Sequence, residues 1–201
     1  VLIKAGFLDL EATLAYTILT LHGTTVFYYW LYFVQVAMVM VFVLAYADGV
    51  DRIVWRKLAW LGFGFMAAGF LIDQIAPWMG AIITYGGLAP LSHNMPGSDW
   101  FYIGYVSLGI GLGCVSIPCI ATPIKAKMDG KVENWSSITF AATLWAVLLT
   151  VTSFAALNTF LTQLSVMDGT VVEGFDYIIA YHVMFHNMHY LPLLSTVLVW
   201  Y

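Results

Sequence analysis

An all-α bundle of about five transmembrane helices is the fold class this chain predicts. Three observations carry it. Of 201 residues, 62% are hydrophobic and 9% charged, whereas a soluble domain carries about 25% charged residues. So few charges cannot cover a water-facing surface, and the mean hydropathy of +0.88 agrees. Several apolar runs reach the roughly 20 residues a helix needs to cross a bilayer core. The basic residues collect in alternate connections between those runs.

The first run is Ala12–Ala47, whose one ionisable basic side chain is His22. It is long enough for a tilted or protruding helix. The second is Ile53–Ala76, with basic residues at its start and Asp73 near its end, where a membrane boundary and water are expected. Trp100–Ile124, Trp135–Met167 and Tyr177–Tyr201 complete the set. Lipid satisfies no backbone polar group, so spanning segments are helices or closed barrels. Runs this long, without strict alternation, predict helices. The 201 residues form a single transmembrane unit with no soluble domain. The chain opens at Val1 and stops at Tyr201 directly after an apolar run, which reads as an internal piece of something longer.

Four connections remain. Asp48–Lys57 and Lys125–Asn134 are short and basic, Pro77–Asp99 is long and rich in Gly and Pro, and Asp168–Asp176 is short and acidic. Arg52, Arg56, Lys57, Lys125, Lys127 and Lys131, six of the seven basic residues, fall in the first and third. Cytoplasmic loops collect Lys and Arg, so those two connections are expected inside and Val1 outside, in a multi-pass protein of a prokaryotic cell membrane. A net charge of −4 with no basic stripe excludes a nucleic-acid partner. Cys114 and Cys119 share one apolar run and read as ordinary buried cysteines.

Polar groups inside a membrane are costly and are functional candidates by default. His22 lies in the first run; His182, His186 and His189 lie in the fifth, with Tyr190 next. Spacings of four, three and seven put these three histidines on one helix face. Imidazoles grouped this way suit copper, iron or zinc; the plainer reading is polar glue between helices. On the expected topology, His22 and His186 both lie about 15 to 20 Å down their helices from the outer side. The aromatics Phe27, Tyr28, Tyr29, Trp30 and Tyr32 read as lipid contact and packing, or as a wall for a flat cofactor. His93 reads as a solvated loop histidine.

The order of these features resembles subunit I of the haem-copper oxygen reductases. Leu19-Thr20-Leu21-His22-Gly23, followed by Gln35 and an apolar run to Ala47, resembles that family's second helix. Gly97-Ser98-Asp99-Trp100-Phe101-Tyr102-Ile103-Gly104 resembles the start of its fourth helix. Val172-Glu173-Gly174-Phe175-Asp176, then a helix with His186 and Tyr190, resembles its sixth. The resemblance is closest to the B-type branch, typified by ba3-type oxidases, and covers the chain as helices two to six. It implies low-spin and high-spin haem and copper as cofactors. It makes His22 an axial ligand of the low-spin haem and His186 a copper ligand; it assigns His182 and His189 no role, and they remain metal candidates only through the helix face they share with His186. Tyr190 matches the tyrosine bonded to the copper-ligating histidine, a source of an electron and a proton. The family reads close to Gly-His-Pro-x-Val-Tyr where this chain reads Phe185-His186-Asn187-Met188-His189-Tyr190. An asparagine after the histidine resembles the C-type branch. The family's remaining ligands lie on later helices.

The implied activity is reduction of oxygen to water, with electrons from a cytochrome or quinol and coupled proton uptake, within a multi-subunit respiratory complex. Nitric oxide reduction in the same superfamily is the near alternative; Tyr190 favours oxygen. A degenerate haem-binding or structural subunit is a second class, and a metal transporter a third. Protons drawn from the inner side need a path along the residues after Tyr190. Tyr201, eleven residues on, returns to within about 20° of the same face, and Thr196 lies about 120° away. Both are candidates for that path, or else a packing hydroxyl and an interfacial tyrosine.

Overall fold

A computed structural model of the chain describes residues 11–82, 95–167, 179–187 and 190. The expected all-α architecture is what it shows: among the described residues there is no strand. Helix α1 (Ala12–Gly23) runs through a π-helical segment (Thr24–Trp30) into α2 (Leu31–Ala45). Helix α3 (Arg56–Ile75) ends in a 3-10 turn (Ala76–Met79). Helices α4 (Ser98–Met128) and α5 (Ser137–Met167) follow, and 179–187 with Tyr190 form the described part of α6. Among the described residues, four helical stretches are long and apolar enough to cross a membrane, namely Ala12–Ala45, Arg56–Met79, Ser98–Met128 and Ser137–Ser165. The chain is a transmembrane helical bundle.

Helix α4 continues past Ile124 through Lys125 and Lys127 to Met128. Its 31 residues make it about 46 Å long against a hydrocarbon core of about 30 Å. The ends must therefore project, and lysines in a last turn are favoured by the partial negative charge there. Aspartate 48 ties the first connection to the start of α5. Asp48 Oδ2 accepts from the Ser136 N–H at 3.1 Å and from the Thr139 hydroxyl at 3.2 Å. The Ser136 side chain, then the Ser136 N–H and the Thr139 hydroxyl, hold its carboxyl below the usual carboxylate range.

Helices α3 and α4 approach backbone to backbone through glycines seven apart on each. Gly62 lies opposite Gly111, and Gly69 opposite Gly104. A Cβ at Gly69 would stand 2.5 Å from the Gly104 carbonyl oxygen, and one at Gly62 would stand 2.7 Å from that of Gly111. Small residues at such crossings let membrane helices pack closely where no hydrophobic driving force exists between them. Hydroxyls add interhelical bonds: Ser107 donates to the Phe65 carbonyl at 2.8 Å, and Ser153 to that of Gly109 at 2.6 Å. Trp145, Tyr32, Tyr102, Leu112 and Leu149 fill the centre. Trp60, Leu71, Trp78, Phe140 and Phe154 stand exposed, as lipid-facing side chains would.

Candidate functional site

Helix α6 is held by two bonds from different helices. The Tyr32 hydroxyl on α2 donates to the Met184 carbonyl at 3.2 Å, and Asn187 Nδ2 donates to Thr152 Oγ1 on α5 at 2.8 Å. Met184 is buried, and Ala180, Tyr181, Val183 and Phe185 are partly buried against the core. The polar residues take another face. His182, His186 and Tyr190 are all exposed. Their rings form a ladder one turn apart: 6.5 Å between the centroids of His182 and His186, then 5.8 Å between His186 and Tyr190 with the planes 15° apart. The periodicity expected from spacing is thus present for 182, 186 and 190. His189 lies outside the described residues, as do Thr196, Tyr201 and His93.

His22 stands in the last turn of α1, just before the π-helical segment. Its side chain is exposed while Thr20 and Thr24 are buried beside it. A Cβ added at Gly23 would meet nothing within 4 Å, so the surface around His22 is open. Among the described residues no three His, Cys, Asp or Glu side chains group closely enough to hold a metal ion. The described imidazoles therefore lie on different helices: His22 on α1, and His182 and His186 beside the Tyr190 phenol on α6. Cys114 and Cys119 are free thiols, as expected; Cys119 is buried and Cys114 half-buried.

The aromatics after His22 turn inward rather than forming an open wall. Tyr29 and Tyr32 are buried, and Tyr28 meets Tyr105 edge to face at 4.6 Å. Trp30 alone of the five stands exposed.

One residue departs from its sequence-based expectation. Asp73, expected to reach water near a boundary, is wholly buried, and Tyr29 donates to its Oδ2 at 2.5 Å. The signal that points to it is composition: Asp73 is the sole acidic residue of α3, and an ionisable group on an apolar span faces the bundle interior. Gln35 is also buried, and both its side-chain polar atoms lack a partner among the described residues.

No protein-family model, curated protein or solved structure matches this chain.

Proposed function

We propose that the chain belongs to the core membrane subunit of a haem-copper terminal oxidase. The reading is carried by the ladder of His182, His186 and Tyr190, open on one face of an apolar helix. Polar rings at membrane depth need protein, water or a cofactor against them. The donor chemistry fits the cofactors in part. His22 offers one imidazole on an open surface and would hold the iron of a low-spin haem; a Cβ at Gly23 would meet nothing within 4 Å, so no neighbour blocks that face. His186 offers an imidazole to copper. Haem and copper, when bound, would pass electrons from the donor to oxygen, which with protons becomes water. The reading places the other ligands on sequence outside this chain or on a partner subunit, with a cytochrome or quinol as electron donor.

Within that reading each residue has a task. His22 binds and orients the low-spin haem. His186 binds copper, and α6 is fixed for this by the bonds to Met184 and Asn187 from α2 and α5. Tyr190 holds a proton at its hydroxyl one turn from His186, where it can be given up toward the reacting centre. Thr196 and Tyr201 would extend the proton path toward the cytoplasm. Nitric oxide reduction in the same superfamily is the near alternative, and the role of Tyr190 favours oxygen.

A second reading, a non-catalytic haem-binding or structural subunit, is favoured by Asn187. It stands where the resembling family has proline, and it spends its amide on a bond to α5. The two readings part on copper content and oxygen turnover of the intact complex, which only the first expects; His22→Ala there tests the haem ligand itself. The oxidase reading expects one low-spin haem spectrum to disappear. Unchanged haem content would remove His22 from the site.

Orientation supplies an independent check. The basic connections place Lys57 and Lys127 in the cytoplasm and Ser98 outside, with Val1. Single cysteines at 57, 127 and 99, the exposed neighbour of the buried Ser98, treated with an impermeant thiol reagent on intact cells, should label at 99 and not at 57 or 127. Labelling confined to 57 and 127 would invert the topology.

A further inference from the structure

Asp73 sits in the last turns of α3, and elements on two sides close over it. From the π-helical segment, the Tyr29 hydroxyl donates to Oδ2. From α4, Gly104 offers no side chain, and a Cβ there would collide with both carboxyl oxygens. Tyr29 is backed in turn by Phe70 at 5.3 Å and by the Tyr105 ring, stacked at 6.2 Å. Asp73 Oδ1 has no hydrogen-bond partner among the described residues.

Among the described residues the titratable groups that act on this carboxyl and its surround are phenols: Tyr29, which donates to it, and Tyr105 from α4, with Tyr28 against the Tyr105 ring. No Lys, Arg or His occurs in 23–51, 58–82 or 98–124, the stretches that supply the surrounding walls. Lys125 and Lys127 stand about six helical turns along α4 from Gly104. An ionised carboxylate here would be a buried charge without a counter-ion, and such groups neutralise instead.

We propose that Asp73 is an intramembrane proton-binding site, its carboxyl carrying one exchangeable proton and oriented by the Tyr29 hydroxyl. Oδ2 already accepts from Tyr29, so the bare Oδ1 is the atom that takes the proton. The step is binding of one proton by a carboxylate to give a carboxylic acid, and release reverses it; no electron moves. The site rests on the packing of α3, the π-helical segment and α4, and does not depend on haem or copper.

Infrared difference spectroscopy of the intact complex at neutral pH, in H2O and in D2O, tests this with Asp73→Asn and Tyr29→Phe. A carbonyl band of a protonated carboxyl is expected in the unsubstituted protein and absent from Asp73→Asn. It should move to higher frequency in Tyr29→Phe, where its hydrogen bond is lost, and to lower frequency in D2O. No band dependent on Asp73 would overturn the site. A band unmoved by D2O would mark a fixed structural acid and overturn the exchange. If Asp73→Asn does not assemble, Tyr29→Phe carries the test, and a spectrum there identical to the unsubstituted protein overturns the proposal.

Discussion

His186→Ala in the intact complex is expected to remove copper and turnover while leaving the low-spin haem spectrum in place. His186 and Tyr190 are near-parallel rings one turn apart on an exposed face, and α6 beneath them is fixed by Tyr32 and Asn187. Loss of an outer-shell partner typically costs about 10- to 100-fold in metal affinity, so loss of a direct ligand should exceed that. His22 stands on α1, a different helix, and truncating His186 does not touch it. Metal analysis with activity assays reads the outcome. His182→Ala should lower copper far less. Equal copper loss in the two variants would mean that the ladder binds as a unit or that the assignment to His186 is wrong.

Gly111→Leu is expected to prevent accumulation of the folded protein. A Cβ at Gly111 would stand 2.6 Å from the Gly62 carbonyl oxygen and 2.9 Å from the Met66 backbone nitrogen. Both obstacles are backbone, so α3 and α4 must separate for any side chain to fit. Forcing extra methylenes into a packed interior costs about 1–3 kcal/mol and occasionally more. Alanine should fall in that range, and leucine above it. Gly64 lies on the same helix as Gly62, yet a Cβ there meets nothing within 4 Å. Gly64→Leu should therefore accumulate and melt as the unsubstituted protein does in detergent. Similar melting of the Gly111 and Gly64 leucine variants would contradict the close crossing.

Most of the fifth expected span, Tyr177–Tyr201, lies outside the described residues; the other four were legible because apolar run length and bilayer thickness address the same physical limit. Their ends were less so. Arg56 and Lys57 open α3 instead of belonging wholly to the connection, and Lys125 and Lys127 close α4. A charged residue can extend a helix into water without breaking it, so charge marks the bilayer edge and not the helix end. The histidine ladder was legible from spacing alone, because the helical period dictates which side chains share a face. Its exposure was not, since that depends on which face of α6 meets α2 and α5. Asp73 was misplaced for a related reason. Distance along α3 puts it near the boundary, but its burial is set by Gly104, 31 residues later in the chain. The π-helical segment from Thr24 has no sequence mark of the kind used here, though it is what delivers Tyr29 to Asp73.

The central claim is that this membrane bundle holds haem and copper through His22 and His186. A reduced-minus-oxidised absorbance spectrum of the purified intact complex, with metal analysis of the same sample, tests it most directly. The account predicts a low-spin haem signal, a second haem that binds carbon monoxide when reduced, and copper present with them. A complex that contains neither haem nor copper would contradict it.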